Sequence, residues 1–324
     1  MFNNIRIAGI SAAIPKTVVS NFKDHHFVST KKREQIVKLT GVEEYRKATD
    51  SQTTADLCQV AAEDLFKEVN VDQASIDGII FVTMTPDYIA PSTACVMQHK
   101  LGLPTTTVAF DVNLGCSGYV YGLYIACSFI QGGGLKKVLL LAGDTQTKLC
   151  HGEDQNVVFL LGDAGTATII EASPDSQEIK MNFKTDGSRK DSLIIPAGGF
   201  RVPSTSETRK IRKQADSGVR SAEHIYLDGV GVFNFSITDV VETIKEFMDG
   251  ERLLHSWRLD QVKSLLISST ALQVYIKYEG MYQIRLINDS PKQWEDLLRS
   301  RIDQFYREKG LEVYAYMPVI RTRR

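Results

Sequence analysis

At 324 residues, 43% hydrophobic and 24% charged, the chain is long enough for one large domain or two moderate ones and can build a core without staples. A net charge of -1 gives no global nucleic-acid footprint, and no apolar run approaches the ~20 residues that cross a bilayer, so neither nucleic acid nor membrane is an expected partner. The five cysteines, Cys58, Cys95, Cys116, Cys127 and Cys150, are odd in number and scattered without a CxxC pair, which argues against a disulfide framework or a metal site; with no apolar leader after Met1, the cytoplasm is the expected compartment.

Residues 5–14 alternate apolar side chains and glycine as an opening strand does, and Pro15 closes it. Residues 31–47 are charged, with Thr40-Gly41-Val42 as a turn inside them. Thr53-Thr54-Ala55-Asp56 has an N-cap pattern and leads a helix through Leu57, Val60, Ala61, Leu65 and Phe66. Residues 78–84 form a buried strand, Pro86 breaks it, and Pro91-Ser92-Thr93 starts a short helix reaching Leu101.

Residues 105–134 organise the rest. Residues 107–112 are a β-branched and apolar strand, Asn113-Leu114-Gly115-Cys116-Ser117-Gly118 a turn, and Val120, Leu123, Tyr124, Cys127 and Ile130 follow at helical spacing until Gly132-Gly133-Gly134. Cys116 therefore sits at a helix N-terminus, where free N–H groups and the helix dipole favour a thiolate, lowering the thiol from about 8.5. Small neighbours Gly115, Ser117 and Gly118 leave room for a thioester, and a backbone N–H there could face an oxyanion. Two readings of Cys116 stay open on these residues, a nucleophile or a structural thiol; Cys127, in the apolar stripe, reads as structural.

Residues 137–142 are a short strand buried on both faces. Residues 157–161 and 167–170 flank Gly162-Asp163-Ala164-Gly165-Thr166, a glycine-bearing bend, and the alternation of strands and helices points to α/β layers. Pro196-Ala197-Gly198-Gly199 is a turn. Residues 201–220 hold Arg201, Arg209, Lys210, Arg212, Lys213 and Arg220 against only Glu207 and Asp216, either a solvated loop or a surface for an acidic partner. Helical periodicity resumes over residues 232–248 through Phe233, Ile237, Val240, Val241 and Ile244. Two halves meeting near Ala172, residues 1–172 and 173–324, are compatible with a distant duplication.

With these residues in place the chain resembles the thiolase-like condensing enzymes, and within them the β-ketoacyl-acyl-carrier-protein synthase III family. The resembling motifs are Thr40-Gly41-Val42 with Arg46 and Ala48, Pro91-Ser92-Thr93-Ala94-Cys95, Asp111 to Gly118, Leu161-Gly162-Asp163-Ala164-Gly165, Pro196-Ala197-Gly198-Gly199, and Gly229 with Val232-Phe233, in family order between about residues 5 and 248. The resemblance implies a five-layer αβαβα fold, a homodimer, no cofactor, and Cys116 as acceptor of an acyl group from acyl-CoA or an acyl-acyl carrier protein. The acyl group then passes to malonyl-acyl carrier protein, so the acyl carrier protein is an implied partner. Leu227, Gly229 and Phe233 are the implied substrate-binding residues.

Two features depart from the family. Its histidine in His-Gln-Ala-Asn and asparagine in Gly-Asn-Thr, which stabilise the enolate of the malonyl unit, are not found after Gly250, nor is its C-terminal glycine-rich loop. The tryptophan and arginine that clamp the adenine of coenzyme A correspond here to Gln35 and Gln155, which makes a carrier protein a credible donor instead. The tail, residues 250–324, admits two readings. As a folded replacement, residues 273–277 and 282–286 read as strands around Tyr278-Glu279-Gly280, and Pro291 opens a helix with Trp294, Leu297, Leu298, Ile302 and Phe305 on one face. As a reading-frame slip near Gly250, codons for Ile267 to Thr270 can spell Phe-His-Gln one base later, although Gly-Asn-Thr from Met317 to Arg321 needs the other frame. None of the six histidines carries a motif, His255 and His151 included. The alternatives to a synthase are an acyltransferase using Cys116 alone and a noncatalytic partner subunit.

Overall fold

The computed structural model describes residues 1–174, 176, 178–250, 264–269, 272–277 and 283–286. In chain order these residues form β1 (Ile5–Ala13), β2 (Thr17–Ser20), α1 (Thr30–Thr40), β3 (Glu44–Lys47), α2 (Thr54–Glu68), β4 (Gly78–Val82), α3 (Thr93–Lys100) and β5 (Val108–Val112). Next come α4 (Gly118–Gln131), β6 (Lys137–Thr145), β7 (Asp163–Ala172) and the two-residue strands β8 (Leu193–Ile194), β9 (Arg212–Lys213), β10 (Val219–Arg220) and β11 (Tyr226–Leu227). Helices α5 (Gly229–Ile237) and α6 (Asp239–Gly250) precede β12 (Ser264–Ser269), β13 (Leu272–Lys277) and β14 (Gln283–Leu286). The chain divides into two compact units: Met1–Val18, Arg46–Lys148 and Gly162–Asn182 make the first, and Val19–Tyr45, Leu149–Leu161 and the chain from Phe183 make the second.

The first unit is built on a five-stranded mixed sheet in the order β1-β7-β6-β4-β5. Strand β4 runs parallel to β5 and β6, and β7 is antiparallel to β6 and β1. The period of two sorts the buried side chains by face. Ile79 and Phe81 of β4, Leu139 and Leu141 of β6 and Ala167 and Ile169 of β7 meet Ala61, Leu65 and Phe66 of α2 and Met97 of α3. Val82 and Leu140 point the other way, toward α4. Each fully buried Phe, Ile or Leu contributes roughly 1.5–3 kcal/mol. Thr53 and Asp56 close a capping box on α2, as the N-cap pattern predicts, while Val60 of its expected apolar face is exposed. The expected glycine-bearing bend at residues 162–166 is instead the start of β7, because each residue from Asp163 to Thr166 pairs across to β6.

In the second unit, α1 is a helix inside the charged stretch, capped by Ser29 and ended by Gly41 at φ 72, the left-handed conformation that glycine adopts without strain. Val28, Val158 and Phe159 form its small core. The His25 ring lies 4.5 Å from that of Phe159 and 3.0 Å from the side-chain oxygen of Asn21, which makes it a packed histidine. The helix expected over residues 232–248 is two helices, broken at Thr238, whose amide and hydroxyl both reach the Asn234 carbonyl. Strands β12, β13 and β14 form an antiparallel sheet in that order, matching the two strands predicted for the tail. The turn Tyr278-Glu279-Gly280, the helix from Pro291 and His255 lie outside the described residues.

Candidate active site

Strand β5, the turn after it and α4 deliver Cys116 in the order the sequence predicts. Ser117 is the N-cap and Gly118 the first helical residue, so the thiol stands just outside the helix. The glycines around it answer a packing need. A Cβ on Gly118 would stand 2.5 Å from a methyl of Val82, and one on Gly115 would stand 2.7 Å from the Met84 sulfur. Glycine at these two positions lets the first residue of α4 press onto β4 and the turn onto Met84 just beyond it.

Two aspartates brace this arrangement. The Asp111 carboxylate accepts from the backbone N–H groups of Thr93 (2.6 Å) and Ala94 (2.7 Å), filling orphan donors at the start of α3 with a charge of the favourable sign. Asp163, buried at the start of β7, accepts from the Ala48 N–H (2.7 Å) and from the N–H and hydroxyl of Thr147 (2.9 and 2.6 Å). Motif residues Asp111, Ala48 and Asp163 are therefore structural ties.

A third carboxylate, Asp144 near the end of β6, carries no sequence motif, and only its place at the polar end of a buried strand could have drawn notice. One of its oxygens accepts from the Thr83 hydroxyl (2.8 Å), the Met84 N–H (2.7 Å) and the Thr85 hydroxyl (3.2 Å). Thr85 extends the network through its hydroxyl to that of Thr54 at 2.7 Å. Desolvation raises the Asp144 carboxyl above the usual range, against the hydrogen bonds from Met84, Thr83, Thr85 and Gln146.

Cys116 itself is exposed, but enough protein crowds its sulfur that desolvation raises the thiol. Its own backbone N–H opposes the shift and the Asp144 charge adds to it. Desolvation thus outweighs the lowering expected from the helix N-terminus. Cys58 and Cys127 are buried and pushed up to about 12, mainly by desolvation, which fits the structural role read for Cys127. Among the described residues no group of three or more His, Cys, Asp and Glu side chains could hold a metal ion, and no helix is long and apolar enough to cross a membrane.

The predicted substrate residues lie in the second unit. Leu227 is half-buried in β11 opposite Leu193, Gly229 opens α5 beneath the Asp228 cap, and Phe233 is exposed on α5. Gln35 is on α1, and the Gln155 amide donates to the Ser217 carbonyl at 3.3 Å. His151 and His224 meet edge to face at 5.4 Å, and the His224 Nδ1 stands 2.7 Å from the Ser221 hydroxyl.

A family model described as 3-oxoacyl-[acyl-carrier-protein (ACP)] synthase III matches residues 110–187, the span that contains Cys116, Asp144 and Asp163. A putative 3-oxoacyl-[acyl-carrier-protein] synthase 3 from Campylobacter jejuni is 34% identical over 257 residues, covering 78% of this chain and 72% of that one. The beta-ketoacyl-[acyl-carrier-protein] synthase III of Chlamydia caviae is 36% identical over 239 residues, covering 72% and 68%. Among solved structures, a 3-oxoacyl-(acyl-carrier-protein) synthase III at 2.1 Å resolution superposes with a TM-score of 0.70 and 36% identity, over 76% of this chain and 74% of that one. A 3-oxoacyl-(acyl-carrier protein) synthase from Burkholderia xenovorans LB400 does so at 0.68 and 34%, over 76% and 69%.

Proposed function

Because the chain belongs to the 3-oxoacyl-[acyl-carrier-protein] synthase III family and has its thiolase-like α/β fold, we propose that it is a condensing acyltransferase whose nucleophile is Cys116. The observation that carries this reading is an exposed thiol at a strand-to-helix turn within the residues the family model matches. The Cys116 thiolate attacks the carbonyl of an acyl thioester, the carbon–sulfur bond to the carrier breaks, and the carrier leaves as a thiol once protonated. Malonyl-acyl carrier protein loses carbon dioxide, and the electron pair left on its carbon attacks the acyl-Cys116 carbonyl. The 3-oxoacyl-acyl carrier protein departs and the Cys116 thiolate is restored.

Gln35 and Gln155 favour a carrier-protein donor, since neither amide offers the stacking of an indole or the charge of a guanidinium. Leu227, Gly229 and Phe233 contact substrate in this reading, and the protein works as a cytoplasmic homodimer without a cofactor. Intact-mass analysis after exposure to acetyl-CoA and to an acyl carrier protein thioester tests it. The expected result is a mass gain that maps to Cys116 and is missing from Cys116→Ala. No adduct from either donor would overturn the proposal.

A further inference from the structure

The Asp144 network takes no step in the chemistry above, yet it reaches the turn of the nucleophile through one side chain. Met84 lies just beyond β4, outside the register that pairs Gly78–Val82 with β5 and β6. The last bond of that sheet edge, from the Thr83 N–H to the Val112 carbonyl at 3.1 Å, precedes it. From there side-chain chemistry takes over, and the Met84 N–H donates to the Asp144 Oδ1 at 2.7 Å. The neighbours on either side reach the same oxygen, the Thr83 hydroxyl at 2.8 Å and the Thr85 hydroxyl at 3.2 Å. The Thr145 N–H donates to the Thr85 hydroxyl at 3.0 Å, and the hydroxyl of Thr54, the first residue of α2, stands 2.7 Å from it. A single carboxylate oxygen thus gathers residues 83–85 against the ends of β6 and α2.

Met84 carries that placement to the nucleophile. Its Sδ and Cε stand so near Gly115 that a Cβ there would meet them at 2.7 and 2.8 Å, and Cys116 is the next residue. The Gly115 carbonyl accepts from the Gly118 N–H at 2.8 Å, so the residue that leans on Met84 also sets the entry to α4. A thioether side chain has three rotatable bonds and adapts to its surroundings, so it supports Gly115 only while its own backbone is held.

We infer that Asp144 is a positioning residue for Cys116, acting through the backbone and thioether of Met84; the inference takes from the function proposed above only that Cys116 is acylated. Asp144 acts here as an acceptor, because three donors converge on one of its oxygens. Without that oxygen an N–H and two hydroxyls lose their shared partner, the segment relaxes and the thioether leaves Gly115. A reacting atom displaced by about 1 Å can lose about 10²-fold in rate, because the near-attack geometry is gone.

The test compares two reactions of the Cys116 thiol, both read by peptide mass at Cys116. Acylation by acetyl-CoA or an acyl carrier protein thioester needs the sulfur in place, whereas alkylation by iodoacetamide needs only a thiolate. The ratio of the two rates at one pH cancels differences in thiolate fraction. In Asp144→Ala the ratio should fall about 10- to 100-fold, and Asp144→Asn, which keeps an acceptor oxygen, should restore most of it. Met84→Ala should fall likewise and Met84→Leu, of similar volume, should recover. Asp144→Ala combined with Met84→Ala should be no slower than either alone, as two members of one path are. A parent ratio in Asp144→Ala overturns the inference, as do additive losses in the double variant or a ratio in Asp144→Asn as low as in Asp144→Ala. Where Asp144→Ala fails to fold, the Met84 pair decides: loss in Met84→Ala with recovery in Met84→Leu supports the inference, and an unchanged ratio in Met84→Ala overturns it. A parent that takes no acyl group from either donor sinks the proposed chemistry, and crystal structures then decide the inference. A thioether against Gly115 in the parent and Asp144→Asn but displaced in Asp144→Ala supports it; one that stays in place in Asp144→Ala overturns it.

Discussion

Cys116 is exposed enough to be attacked by solvent reagents and crowded enough that desolvation raises its thiol. The thiolate is the reactive form, so the rate of iodoacetamide alkylation should climb with pH to a midpoint above the ordinary value of about 8.5. Asp144 adds to the shift as a negative charge. In Asp144→Asn the remaining carbonyl oxygen can still accept from Thr83, Met84 and Thr85, which all use one oxygen of the native carboxylate. The charge is removed while these three bonds are kept, and the alkylation midpoint should fall. An unchanged midpoint would mean that the Asp144 charge is not felt at the sulfur, and an upward move would mean that the turn had shifted. Cys116 was legible in the sequence because glycines and a helical stripe mark its turn. Asp144 was not, because its importance comes from strand pairing that brings Thr83, Met84 and Thr85 to one carboxylate oxygen.

At the scale of elements, the first unit was the more readable because its central strands β4 and β6 are largely buried on both faces and α2 carries a capping signal. The Thr53 capping box, the break after β4 and the short helix α3 all follow from local chemistry. Glycine misled at residues 162–166, where it resembles a bend and instead allows a close approach. A Cβ on Gly165 would stand 2.6 Å from the Cys58 backbone nitrogen and 2.7 Å from the Leu57 Cβ, so α2 rests on β7 only if that position is bare. Gly165→Ala should cost about 1–3 kcal/mol of stability in denaturant unfolding, the range for overpacking a core; a neutral outcome would show that α2 can lift freely. The same contact seals Cys58, whose thiol burial pushes up to about 12. The folded chain then keeps that proton where the unfolded chain has lost it. Stability from this group is therefore whole below about pH 8.5 and drains as pH rises toward about 12, and Cys58→Ala should flatten that alkaline slope.

For the molecule as a whole, the family was readable from motifs spread over residues 5–248, and the comparisons cover a similar share, 76% to 78% of the chain for the Campylobacter jejuni relative and the two solved structures. The basic stretch was readable as charge but not as form, since the β9–β10 hairpin and the inward turn of Arg220 depend on Asp154, distant in sequence. The tail departs from the family where, in the function proposed above, the second half of the reaction would be served. Patterning predicted two of its strands, overlapping β13 and β14, yet neither His-Gln-Ala-Asn nor Gly-Asn-Thr stands after Gly250. Acyl loading needs a thiolate and an oxyanion donor, which the turn at Cys116 can supply. Decarboxylation needs donors aimed at an enolate, and removing one such donor costs about 10²–10³ in rate. With two family donors missing, acyl-Cys116 should accumulate: mass analysis should find the adduct formed within minutes, while carbon dioxide from labelled malonyl-acyl carrier protein appears at least about 10²-fold more slowly. Release as fast as loading would show that other side chains of this chain stabilise the enolate, and scanning substitutions among its histidines and asparagines would then locate them.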